Sequence, residues 1–140
     1  MSKSLVSRNI KILNPEDIVV TVPIGDTGNA GETISAVKAI YSNGTSLFLG
    51  SANGSFQDAS IIGITLTAAT AGNELRYQID GQLYDSSFSF TNGDPVFLDL
   101  NGNLTQTDPD SLGYNYRVLI GYATGENGLN INIQEPRELQ

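Results

Sequence analysis

The chain has 140 residues and carries 7 basic against 15 acidic side chains, a formal net charge of -8. That length holds one core and is short for two ordinary domains. It contains no Cys and no His, which excludes disulfide frameworks, Cys/His zinc sites, Cys-His and Ser-His-Asp catalysis and any histidine pH switch, and its negative field disfavours nucleic acid and anionic membranes as partners.

The first segment, 1 to about 17, differs in character from the rest. Lys3, Arg8 and Lys11 are three of the seven basic residues, interleaved with Leu5, Val6, Ile10, Ile12 and Leu13, and Pro15 closes the run. One reading is an edge strand or a frayed terminus. The sharper one is an arm that docks on an acidic or apolar neighbour, which makes Lys3, Leu5, Val6, Arg8, Ile10 and Lys11 the candidate partner-binding residues. No window approaches the roughly 18 apolar residues of a membrane span, and Met1-Ser2-Lys3-Ser4 lacks the apolar run of a signal peptide. The expectation is a protein made in a cytoplasm, with residues 1–29 as arm and lead-in strand and residues 30–140 as a β-domain.

Beyond the arm, Asn-Gly pairs stand at 43–44, 53–54, 92–93, 101–102 and 127–128, and Asp80-Gly81 adds another turn signal. Asn-Gly adopts positive φ at low cost, as two-residue hairpin turns require, so these pairs punctuate antiparallel strands. The stretches between them read as strands: 18–22, 36–41, 46–49, 61–67, 75–79, 88–90, 96–98, 116–122 and 129–133. Leu75, Tyr77 and Ile79 alternate with Arg76, Gln78 and Asp80, and Leu129, Ile131 and Ile133 with Asn130, Asn132 and Gln134, the period-two pattern of a half-buried sheet. Thr33 to Ala39 is the nearest approach to a helix, but its β-branched content favours a strand or short turn.

The two parts of the chain echo each other. Asn43-Gly44 and Asn101-Gly102 are 58 positions apart, and so are Ile62-Gly63 and Ile120-Gly121. Each part runs strand, Asn-Gly turn, strand, loop, then an aliphatic strand with an internal Gly, which marks a bulge or a close backbone approach. The fold predicted is all-β, a compact antiparallel β-sandwich or barrel with two related halves, about 31–80 and 88–135, plus the N-terminal arm.

Chemistry is sparse. Asp94, Asp99, Asp108 and Asp110 form the one cluster with an enzymatic or metal flavour. The run Asp99 to Asn103 has oxygen ligands at alternate positions, but its Gly stands fourth rather than sixth and its flanks read as strands, so a hairpin turn with solvated acids is preferred to a calcium loop. Glycoside hydrolysis needs paired carboxylates at a set separation, which a sequence does not give. No catalytic, metal or cofactor residue is therefore assigned. The sequons at Asn43, Asn53 and Asn103 follow from composition. Six Tyr and five Phe read as core or subunit interface before they read as a sugar-stacking platform.

Several segments in order, Ala30 to Tyr41, Ala59 to Asn73, Gly81 to Asp85, Gly93 to Thr107 and Val118 to Ala123, resemble small β-domains of tailed-bacteriophage virion structural proteins, of the capsid decoration, head-fibre or tail-base type. The resemblance covers residues 30 to about 135. It implies a non-enzymatic virion structural protein, most simply a capsid decoration or head-fibre protein on the assembled shell, often a homotrimer. Its partner would be the major capsid protein or another virion protein, with no nucleic acid and no membrane. The alternative is a tail or baseplate adaptor module that touches a host glycan.

Overall fold

Antiparallel pairing accounts for nearly all the regular structure in the computed structural model, which describes residues 24–139. The strands are β1 (Gly25–Asn29), β2 (Ala39–Ser42), β3 (Leu47–Leu49), β4 (Gly63–Thr65), β5 (Glu74–Gln78), β6 (Asp80–Tyr84), β7 (Pro95–Leu98), β8 (Leu104–Thr105), β9 (Tyr116–Arg117), β10 (Leu119–Ala123), β11 (Gly128–Asn132) and β12 (Arg137–Glu138). A one-turn helix, α1 (Phe56–Ala59), interrupts them.

Two five-stranded sheets result, in the orders β1-β5-β4-β2-β3 and β6-β11-β10-β7-β8, beside a two-stranded pair β12-β9. Both five-stranded sheets follow one path. An opening strand takes one edge, a hairpin takes the other, and the last two strands fill the middle. The opening and closing strands match in detail, for β1 and β5 pair from Gly25↔Gln78 to Asn29↔Glu74, and β6 and β11 pair from Asp80↔Asn132 to Tyr84↔Gly128. The two halves thus repeat one topology, over 25–78 and 80–132, so each opens several residues before the 31–80 and 88–135 expected from the echo.

The Asn-Gly hairpins form where the echo placed them. Asn43-Gly44 joins β2 to β3, with Asn43 Oδ1 accepting from the N–H groups of Thr45 and Ser46 at 2.9 and 2.8 Å. Asn101-Gly102 joins β7 to β8 with φ of 55° and 72°, the double positive φ of a type I′ turn. This turn also ties the halves together, because the Gly102 carbonyl accepts from Ala39 N–H at 2.8 Å and its N–H donates to the Gly50 carbonyl at 2.7 Å. The internal glycines mark close approach. A Cβ on Gly63 would stand 2.7 Å from the Gln78 carbonyl oxygen, and one on Gly121 2.0 Å from that of Asn130.

Packing gives a β-sandwich with an asymmetric interior. Val96, Leu98, Ile120, Leu129 and Ile131 of the second half pack with Ala39, Ala59, Ile61 and Ile64 of the first in one shared core. Each fully buried aliphatic chain of this kind contributes about 1.5–3 kcal/mol. The first sheet also rolls on itself. A parallel bridge joins Ala30 to Leu47, bringing the end of β1 to the opposite edge strand around a small core of Ala30, Ile34, Ile40, Leu47, Leu75 and Tyr77.

Several local expectations are corrected. Asp80-Gly81 is no turn: both residues lie in β6, opposite Asn132 and Ile131, and the chain passes from the first sheet to the second at Ile79. Asn53-Gly54 leads into α1, whose N-cap Ser55 forms a reciprocal capping box with Asp58, a helix start that the short apolar content concealed. Asn92-Gly93 sits in a turn before β7 and does not join paired strands. In the β10–β11 connection the positive φ falls on Gly125, at 122°, while Gly128 opens β11. Residues 88–90 form no strand, since the Phe88 and Phe90 rings instead pack together at 4.8 Å. In 33–39, Ile34 bridges Ala69 and the strand begins only at Ala39. Between them Val37 takes φ 63°, a strained conformation for a β-branched residue. Buried Thr65 holds it. The Thr65 carbonyl accepts from Val37 N–H at 2.8 Å, and Thr65 Oγ1 accepts from Lys38 N–H at 2.9 Å while donating to the Ser35 carbonyl at 2.8 Å.

Candidate interaction surfaces

The candidate partner-binding residues Lys3, Leu5, Val6, Arg8, Ile10 and Lys11, and the lead-in run 18–22, lie outside the described residues. What the structure fixes is where that segment joins the domain. The Ile24 carbonyl accepts from Ile79 N–H at 2.6 Å, and Ile24 N–H donates to Asp80 Oδ1 at 3.2 Å. The chain therefore enters at the crossover between the two sheets. A groove of about 690 Å³ opens at the same place, lined by Phe56, Ile61, Ile62, Ile79, Ile133 and Pro136, with Asp80 and Glu135 also lining it.

The acidic cluster does not assemble. Asp99 accepts the Tyr114 hydroxyl at 2.7 Å, and that hydrogen bond, followed by desolvation, raises the phenol above its ordinary pKa. Asp108 takes a bidentate hold on Arg117, at 2.8 and 3.0 Å from Nη2. This pairing, helped by the Asp110 N–H, keeps the Asp108 carboxyl below the usual carboxylate range. Asp94 lies in the turn before β7. Among the described residues no group of three or more acidic side chains is arranged to hold a metal ion, and no helix is long and apolar enough to cross a membrane. The carboxylates are spent on turns and on a strand-to-loop clamp.

The aromatics separate into two populations. Tyr41 stacks on Phe48 at 5.7 Å and Phe56, itself 56% exposed at the groove, meets Tyr116 edge-on at 6.1 Å, while Tyr77 and Phe88 are buried. Tyr84 and Tyr122 are 69% and 49% exposed and project from the outer face of the second sheet. Strand spacing alone could not sort them. Which face of β6 and β10 meets the core follows from their pairing with β11, whose Leu129 and Ile131 are buried and whose Asn130 is exposed.

With this architecture in hand, the chain has a solved structural counterpart. It superposes on the crystal structure of the head fiber gp8.5 N base of bacteriophage phi29 with a TM-score of 0.52, covering 85% of this chain and 99% of that one at 16% sequence identity. The chain shares the fold of a phage head-fibre domain, which the ordered segments of the sequence resemble. No protein-family model matches the chain, and no curated protein matches it in sequence.

Proposed function

We propose that this chain is a non-enzymatic structural protein of a tailed-phage virion, bound to the head as a decoration protein or the base of a head fibre. The observation that carries this reading is the fold match, which takes in essentially the whole of the phi29 head-fibre base rather than a fragment of it. Two features of the chain support it. Its two five-stranded sheets make a turn-punctuated β-module in a chain without cysteine. Its acidic surface is suited to many weak copies whose affinity comes from avidity on a repeating lattice. The basic-apolar arm, with Lys3, Leu5, Val6, Arg8, Ile10 and Lys11, is the attachment element, and the major capsid protein or a neighbouring virion protein is its partner. A homotrimer matches the threefold positions such lattices offer.

Co-sedimentation with heads and tails of the source phage, after light scattering has fixed the oligomer, tests this. Saturable binding of a trimer to heads is expected, and loss of that binding on deletion of residues 1–17 with the β-domain still folded. Binding to tails alone would replace the head reading with that of a tail adaptor. Unchanged binding by the truncated chain would remove the arm from the account.

A further inference from the structure

We infer that the outer face of the second sheet is a saccharide-binding platform built on Tyr84 and Tyr122. On this face the outward side chains of β11 and β6 come in three rows, of which the one formed by Asn132 and Asp80 lies farthest from Tyr84. Tyr122, Asn130 and Gln82 lie side by side across β10, β11 and β6, since Asn130 pairs with both Tyr122 and Gln82. In the next row Tyr84 pairs with Gly128. The two tyrosines are thus two strands and two residues apart, roughly 12 Å between Cα atoms at ordinary sheet spacings. That span suits a short oligosaccharide.

Gly128 makes Tyr84 a platform. A Cβ at Gly128 would stand 3.1 Å from Tyr84 Cε1 and 2.4 Å from Thr124 Oγ1, so the ring leans across the glycine. With 69% of the residue exposed, the ring offers a face for a pyranose to stack on. Beside it Gln82 Nε2 donates to Thr124 Oγ1 at 2.6 Å, which fixes the amide and leaves its carbonyl oxygen available to accept from a sugar hydroxyl. Asn130, exposed between Gln82 and Tyr122, supplies a second amide.

Charge selects the ligand class. Around the two rings Gln82, Tyr84, Tyr122, Thr124 and Asn130 carry no ionised side chain at neutral pH, on a chain whose net charge is -8. The carboxylate that the register puts on this face, Asp80 opposite Asn132, stands at the far end of β6 from Tyr84 and accepts from Ile24 N–H. An anionic polymer meets the repulsive field of the whole protein, and a basic protein surface finds its charge partners elsewhere. A neutral pyranose chain needs only stacking faces and amide hydrogen bonds, which is what these strands present.

Binding is read by isothermal titration calorimetry, because emission from the six tyrosines would mix Tyr84 and Tyr122 with four that lie elsewhere. Maltohexaose, cellohexaose and hexa-N-acetylchitohexaose are titrated into the full chain. Saturable heat with at least one probe, at a Kd below about 1 mM, is expected. Tyr84→Ala and Tyr122→Ala should each weaken it about tenfold, and Tyr84→Phe and Tyr122→Phe should stay within about twofold because the stacking face persists. The Phe variants also separate loss of the ring from loss of the fold. No response to any of the three probes would overturn the assignment. So would binding indifferent to the Ala substitutions, or Ala variants that lose co-sedimentation with phage heads while keeping saccharide binding, since the face would then dock protein. Head binding unaffected by the Ala variants is expected, so this test and that of the virion role can fail independently.

Discussion

The two halves share a strand path and differ in how they close. The first sheet rolls up through the Ala30–Leu47 bridge and keeps a private core around Ile34, Ile40 and Leu75. The second stays open and completes its interior with residues from the first. Its added strand β9 meets the C-terminal β12 through Arg117↔Arg137 and Tyr116↔Glu138. The difference shows that repeated topology survives where backbones touch, at Gly63 and Gly121, while side-chain packing is free to diverge. The crossover between the halves anchors the entering chain, with Ile24 bonded to Ile79 and to Asp80 of β6, and the open half exposes its outer face.

Substitutions can break this comparison in graded steps. The largest effect is expected in the shared core, where Leu129→Ala should cost about 4 kcal/mol in chemical denaturation against about 3 kcal/mol for Leu75→Ala in the private core. Both residues are buried, at 0% and 1% exposure, so equal losses would argue that the cores are not distinct. The glycine pair comes next. Gly121→Ala drives a methyl into the backbone of Asn130 and should cost about 3 kcal/mol, whereas Gly63→Ala, whose contacts include the Tyr77 ring, should cost about 2 kcal/mol.

A third step converts one half to the other. Thr65 and Ala123 are 58 positions apart, so Thr65→Ala gives the first half the residue of the second. It strips the hydrogen-bond partners from Lys38 N–H and the Ser35 carbonyl beneath the strained Val37, and a loss of about 2 kcal/mol is expected. The smallest effect belongs to Asp108. Its carboxyl is held below the ordinary range by Arg117, so the folded state favours the ionised form more than the unfolded state does. The resulting stabilisation is present at neutral pH and fades as pH falls below about 4. Asp108→Asn should slightly lower Tm at pH 7 and flatten its decline in acid; an unchanged acid profile would show that the clamp carries no stability.

Much of this fold was legible because local rules and tertiary structure agreed. Asn101-Gly102 makes the turn its chemistry requires, Asn43-Gly44 opens a four-residue connection in which Gly44 takes the positive φ and Asn43 does not, and the Gly63 and Gly121 offsets point to the repeat. Where the readings failed, tertiary pairing overrode local signals. β1 has the sequence Gly25-Asp-Thr-Gly-Asn29, with nothing of a strand's composition, and exists because β5 offers an edge. Asp80-Gly81 has the chemistry of a turn, and Gly81 keeps a positive φ of 88°, but both residues are held in β6 by pairing with β11. Of the candidate surfaces, the expected arm rests on a composition shift and lies outside the described residues, and the groove beside Ile79 was not visible in the sequence, since its lining comes from Phe56, from 60–62 and from 132–136. The platform was only half visible. The tyrosines were countable, but their exposure depends on which face of β6 and β10 meets the shared core.

The most direct measurement is an electron cryomicroscopy reconstruction of source-phage heads incubated with the full chain. The account predicts density for the β-domain on the outside of the shell, at threefold positions, joined to the lattice through the N-terminal end that enters at Ile24. Bare shells at saturating protein, with density appearing on tails or nowhere, would contradict it.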